Sequence, residues 1–219
     1  MITHSTLGER VHKVIRQDII AGKYKPGERL FFESIAKETG VSMTPVKEAF
    51  MLLEREGLVV SIPRKGTFVR ELSKRDIEEF YQIRLALESL AVDIICAEGL
   101  SVTDEEKLKR ICDDLERHIQ ENDAVKCVLD DVNFHNQLVQ ASASVQLGKL
   151  VNTLPLTNLS NLVQRAGFYL QHGRDFLEEH RRILRLLRKR EGDRIKEILV
   201  KHITTGDHSI MVALETTEE

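Results

Sequence analysis

The chain has 219 residues, of which 42% are hydrophobic and 31% charged, with a net charge of −3. That length and apolar content suit one large core or two modest ones. No run of 18 apolar residues occurs and no basic stretch followed by an apolar one opens the chain, so neither a membrane span nor a secretory signal is expected, and the predicted location is the cytoplasm.

Cys96, Cys112 and Cys127 are odd in number and show no CxxC spacing, which argues against a disulfide framework or a cysteine zinc site; buried thiols are expected instead. Charge is distributed unevenly. Residues 1–72 carry 12 Lys and Arg against 9 Asp and Glu, whereas residues 73–219 carry 20 against 26. A mildly basic front half suits a polyanionic partner.

The first 72 residues predict helix, helix, turn, helix and a strand pair. Leu7, Val11, Val14, Ile15 and Ile19 recur at helical spacing up to Gly22, and Pro26-Gly27 breaks the pattern. A short helix follows over 33–39, then a tight turn at Gly40-Val41-Ser42. Ser42 or Thr44 is a candidate N-cap for the third helix, whose first turn tolerates Pro45 because that position has no N–H to satisfy. This helix turns Val46, Ala49, Phe50 and Leu53 inward and stops at Gly57. Residues 58–62 and 66–69 are strand-like runs around Pro63-Arg64-Lys65, short enough to form a wing.

From Ser73 onward the pattern is helical throughout, with breaks at Gly99, Asn122, Pro155, Gly173 and Gly192 that divide it into six or seven helices. Ser73 with Asp76, and Thr103 with Glu106, have capping-box spacing. The joint between the two parts falls near residues 71–74. Residues 215–219 are acidic and expected to fray. The fold class is therefore mainly α: a winged helix-turn-helix over 1–72 and an all-α bundle over 73–219.

Two short helices joined by a glycine-containing turn expose the outer face of the second, here Thr44, Lys47, Glu48 and Met51, and a helix of that diameter fits the DNA major groove. Arg64 and Lys65 sit at the predicted wing tip, where cations meet phosphate or enter the minor groove, and Gly66 permits close backbone approach. Exposed lysines also occur on ordinary solvated faces, so the pattern alone leaves both readings open.

The residue strings are more specific. Ala36-Lys37-Glu38-Thr39-Gly40-Val41-Ser42-Met43-Thr44-Pro45-Val46-Lys47-Glu48-Ala49-Phe50, then Leu53-Glu54-Arg55-Glu56-Gly57-Leu58-Val59, then Gly66-Thr67-Phe68-Val69, resemble the GntR family of bacterial regulators. Ile19-Ile20-Ala21-Gly22 and Lys25-Pro26-Gly27-Glu28-Arg29-Leu30 fit that family's opening. The resemblance implies binding to double-stranded operator DNA, with base or phosphate contacts from Thr44 and Lys47, wing contacts from Arg64, Lys65 and Gly66, and a phosphate contact from Arg29. Where members of the family usually carry arginines around the Thr-Pro-Val core, this chain has Met43 and Lys47, so bidentate guanine recognition is lost at both positions and a different operator is expected.

In the helical part the placement of histidines is informative. Over 123–142 the apolar stripe is Val125, Val128, Leu129, Val132 and Val139, and Asp131 and His135, spaced i, i+4, fall on or beside it. Over 174–190 His180 interrupts the stripe of Phe176, Leu177, Ile183, Leu184 and Leu187. In the last helix Ile195, Ile198, Leu199 and Ile210 place His202 inward. A single inward histidine is ordinarily a satisfied core residue. Three with a carboxylate are harder to dismiss, because a buried aspartate needs neutralising and a metal ion does so. His118, His172 and His208 lack this placement and are assigned to the surface or a supporting shell.

Asp131-x-x-x-His135, Glu179-His180-x-x-Ile183-Leu184 followed by Gly192-Asp193, and His202 resemble the FCD domain of the FadR subfamily over most of residues 73–219. In its metal-binding members one Asp and three His hold a divalent cation, commonly zinc or nickel, and a carboxylate effector completes the coordination. The resemblance therefore implies Asp131, His135, His180 and His202 as ligands, a small organic or sugar acid as effector, and a homodimer on a palindromic site.

Arg84, within the inward stripe of Ile77, Phe80, Tyr81, Leu87, Ala91 and Ile94, is the first candidate for the effector carboxylate, and Arg165, near Leu162 and Ala166, the second. Either also suits an internal ion pair, for Arg84 with Glu88. Competing readings are a structural metal and a metal-dependent hydrolase-like enzyme with a DNA-binding appendage. No nucleophile or general-base motif accompanies the ligand set, so no catalytic residue is assigned and the expectation is a regulator.

Overall fold

The computed structural model describes residues 5–71, 73–154 and 160–215, with the side chains of 153, 160–166, 168 and 207–215 outside the description. The candidate Arg165, together with Leu162, Ala166, His208, Ile210, Pro155 and the acidic end, therefore lies outside the described residues or side chains. The described residues form two compact units, one holding residues 5–71 with 160–163 and the other residues 73–154 and 164–215.

In the first unit α1 (Leu7–Ile20) begins at a capping box in which the Thr6 hydroxyl accepts from the Glu9 amide while the Glu9 carboxylate accepts from the Thr6 amide. Strand β1 (Arg29–Leu30) leads into α2 (Phe32–Thr39), which ends at Gly40 in the left-handed region. Helix α3 (Met43–Arg55) starts after Ser42, whose side chain makes no capping bond.

Val11, Ile15 and Ile19 of α1 and Val46, Ala49, Phe50 and Leu53 of α3 are buried, whereas Leu7 and Val14, on the same periodic pattern, stay exposed. Phe32 packs on Phe50 with ring centroids 4.3 Å apart. Strands β2 (Val59–Ile62) and β3 (Gly66–Val69) form the expected hairpin. The sheet nevertheless has three strands in the order β1-β3-β2, because Arg29 pairs with Phe68 and Leu30 with Thr67. A two-residue strand has too little periodicity to be seen in sequence, and only its docking against β3 creates it.

The second unit is helical among its described residues: α4 (Lys74–Glu98), α5 (Val102–Gln120), α6 (Ala124–Gln140), α7 (Val145–Thr153), α8 (Ser160–Lys189) and α9 (Gly192–Glu215). The Ser73–Asp76 capping box opens α4 as predicted. Helix α5 instead starts two residues earlier than expected, with the Ser101 hydroxyl accepting from the Asp104 amide, so Thr103 lies inside the helix.

Gly173 does not end a helix either. It sits within α8, where an added Cβ would lie 3.1 Å from Tyr169 and 3.3 Å from Ile119, so the missing side chain allows close packing rather than a turn. Helix α6 is the centre of the unit, packed against α4, α5 and α7. Cys127, Val128, Val132, Phe134, Leu138 and Val139 are fully buried along it. Among the described residues no helix is long and apolar enough to cross a membrane.

Candidate metal centre and DNA-reading surface

Because α6 is covered on most sides, the polar side chains it turns inward have no route to bulk water and must be satisfied by neighbouring helices. Asp131 and His135 are both fully buried on it, one turn apart. Helix α8 brings His180 and α9 brings His202, also buried, to the same point. The ligand atoms of the four residues lie within 4.8 Å of one another. Asp131 Oδ1 is 3.1 Å from His202 Nε2, 3.3 Å from His180 Nε2 and 3.7 Å from His135 Nε2. Phe134 walls the group, its ring stacked on His180 at 4.0 Å.

The three imidazoles are held differently. His135 Nδ1 donates to Glu88 Oε2 at 2.6 Å, and His202 Nδ1 donates to Glu179 Oε2 at 2.9 Å. A carboxylate only accepts, so each ring keeps Nε2 for the centre of the cluster. His180 Nδ1 is buried without a hydrogen-bond partner among the described residues.

Electrostatics follow this inequality. Burial drives the His180 pKa down to about 3 despite the nearby Asp131 carboxylate. For His202 burial also opposes the charged form, but Asp131 and Glu179 outweigh it and the pKa is raised. Burial works against ionisation of Asp131, yet the three histidines around it hold its pKa well below the usual carboxylate value. Glu88 is likewise buried, and His135 and Arg84 hold it at about 2.

Arg84 on α4 reaches the same place. It is 2% exposed, its Nε donates to Glu88 Oε1 at 2.7 Å, and its Nη2 stands 3.9 Å from Asp131 Oδ2. Among the described residues that Nη2 has no hydrogen-bond partner. The donor set suits a divalent cation of intermediate softness: one carboxylate and three imidazoles, two of them oriented by further carboxylates.

Sequence patterning put Asp131 and the three histidines inward, and they are inward. It missed Glu179, whose position before His180 carries no periodic signal, and it gave Glu88 only as a possible partner for Arg84. His118, assigned to the surface or a supporting shell, is buried instead, paired with Asp130 at 2.6 Å.

In the first unit Thr44, Lys47, Glu48 and Met51 are exposed on the outer face of α3, and Arg64 and Lys65 are exposed at the wing tip. The Lys65 amide bonds to the Ile62 carbonyl at 3.0 Å, closing a turn with Pro63 second and Arg64 third. Arg64 has φ +65°, where glycine is customary, and holding an arginine there costs roughly 1–2 kcal/mol. Gly66 has φ +112°, and an added Cβ would lie 2.8 Å from Arg29 Nε. The Arg29 guanidinium thus lies under the wing, 4.9 Å above the Phe31 ring.

A winged helix-turn-helix unit and a separate helical unit with a buried Asp and three His define a DNA-binding protein with a ligand-binding companion. Residues 7–69 match the bacterial regulatory proteins of the gntR family, and residues 79–205 match the FCD domain. The chain belongs to the GntR family of bacterial regulators and carries an FCD domain; it is a DNA-binding transcriptional regulator.

Among its relatives, the HTH-type transcriptional regulator YdhC of Bacillus subtilis is 30% identical, covering 94% of this chain and 91% of its own. The HTH-type transcriptional repressor RspR of Escherichia coli is 26% identical over 93% of this chain and 89% of its own. Solved structures share the fold. A GntR transcriptional regulator from Rhodococcus sp. RHA1 has a TM-score of 0.79 at 23% identity, covering 95% of this chain and 99% of its own. Escherichia coli McbR/YncC has a TM-score of 0.77 at 21% identity, covering 98% and 100%.

Proposed function

We propose that this regulator is switched by a small organic or sugar acid bound at a zinc or nickel ion in its helical domain, residues 73–219, while residues 1–72 read the operator. The observation that carries this reading is the convergence of four buried ligand atoms beside an arginine with an unused donor. Asp131, His135, His180 and His202 would hold the ion, and the bound ion supplies a Lewis-acidic positive charge.

Charge balance points to an anion. Asp131 and Glu88 carry two negative charges and Arg84 one positive, so a divalent cation with neutral imidazoles leaves the core with one excess positive charge. A single carboxylate cancels it, and an uncompensated buried charge is costly. Arg84 Nη2 is then a donor for the effector carboxylate.

On the operator, Thr44 and Lys47 contact bases or phosphates, Arg64, Lys65 and Gly66 approach through the wing, and Arg29 supports the wing and contacts phosphate. A cytoplasmic homodimer on a palindromic site is the working assembly. Phe80, Ile83, Leu87, Leu90 and Ile94 support it, forming a second apolar stripe on α4, with Ile83 47% and Leu90 49% exposed.

The test combines elemental analysis of protein purified without chelator with operator titrations against a panel of organic and sugar acids, before and after metal removal. Stoichiometric zinc or nickel and an acid whose effect on operator affinity disappears with the metal are expected. A metal-free wild-type protein, or an acid response that survives metal removal, overturns the reading.

A further inference from the structure

We infer that Glu88 is a positioning residue that must be a carboxylate, because it is the shared acceptor for two buried donors: the candidate ligand His135 and the anion-facing Arg84. This rests on the metal reading above and adds to it the residue that aims both parts of the site. Glu88 is 1% exposed, with one oxygen 2.6 Å from His135 Nδ1 and the other 2.7 Å from Arg84 Nε.

Both neighbours are obligate donors in this arrangement. The guanidinium has no acceptor atom, and His135 keeps Nε2 toward Asp131 and His202 only while Nδ1 carries the proton. Two acceptor oxygens on one rigid, buried group meet that demand. An amide cannot, because it offers one acceptor and one donor. With glutamine at this position, either Arg84 Nε faces an N–H or His135 does, and in the second case the favoured imidazole places its lone pair at Nδ1 and its proton where the metal belongs.

The other supporting carboxylate is less constrained. Glu179 is half-buried and shares its charge between His202 and Lys201, whose ammonium is exposed. His180 has no such support among the described residues. Among the described acids outside the candidate ligand set, Glu88 is therefore the one that joins a candidate ligand to Arg84, at the point where water is excluded and a mismatch is least forgiving.

The experiment measures Zn2+ affinity of the full chain by competition with a chromophoric chelator, for wild type, Glu88→Gln, Arg84→Met and the double variant. Loss of a supporting partner typically weakens metal binding by roughly 10–100-fold, and that loss is expected for Glu88→Gln in the wild-type background. In the Arg84→Met background the amide oxygen is free to serve His135, so the same substitution is expected to cost much less.

An equal loss in both backgrounds, or none in wild type, overturns the assignment. Wild-type protein that takes up no Zn2+ overturns it together with the metal reading, whereas Glu88→Gln that binds Zn2+ like wild type overturns the positioning role alone. If Glu88→Gln does not fold, the long-range 1H–15N imidazole spectrum of metal-free wild type decides. A His135 proton on Nδ1 is expected, and one on Nε2 alone refutes the role.

Discussion

Replacing Asp131 by alanine removes the only carboxylate among the four candidate ligands, and its consequence can be worked out from the site. Asp131 Oδ1 faces all three Nε2 atoms at 3.1–3.7 Å, and the residue is fully buried. Without it, a divalent cation would leave two uncancelled positive charges in the core, since Glu88 is matched by Arg84. Zinc at 100 times its wild-type Kd stabilises the folded chain by about 2.7 kcal/mol. For a chain of this size about 2–4 °C per kcal/mol is expected, so zinc should raise the wild-type Tm by roughly 5–11 °C.

At the same zinc concentration Asp131→Ala should show almost none of that shift. The assay is a thermal melt followed by circular dichroism, with each protein compared with its own metal-free form. A variant retaining more than half of the wild-type shift would refute the assignment of Asp131 as a ligand.

Lys47→Ala should weaken specific operator binding by roughly 1–3 kcal/mol at fixed salt, the usual worth of a good base contact; an unchanged affinity in a salt-controlled anisotropy titration removes it from the reading surface. Gly66→Ala forces a side chain onto Arg29 at φ +112° and should destabilise the wing by about 1–3 kcal/mol, visible as a lower Tm with operator affinity reduced.

Zinc affinity should fall with acidity. His202 has a raised pKa, so below that value it is an imidazolium that cannot ligate, and above it the neutral ring is available. Glu179→Gln removes one support for that proton and should move the fall to lower pH in a chelator-competition series, whereas a fall that moves to higher pH contradicts the role of Glu179. Burial pushes the Cys112 thiol up to about 12 and Cys127 to about 11, so both should resist a thiol reagent at pH 8 in the folded chain and react on unfolding. Rapid folded-state modification of either would contradict this.

What the chain revealed on its own was whatever a helix or strand encodes locally. Periodicity turned Val46, Phe50 and Leu53 inward on α3 and placed Asp131, His135, His180 and His202 on apolar faces, because side chains three and four apart share a face of a helix wherever it later packs. The Ser73–Asp76 box and the Gly40 turn are likewise short-range chemistry.

Only the tertiary structure decided which acids stand behind the histidines and which face one another. Glu88 and His135 are 47 residues apart, as β1 is from β3 by nearly 40, and neither pairing leaves a local trace. The three inward imidazoles looked equivalent in sequence. Packing made them unequal, setting a buried carboxylate behind His135, a half-buried one behind His202 and the face of Phe134 against His180, because the environment of a buried polar group is supplied by other helices and not by its own.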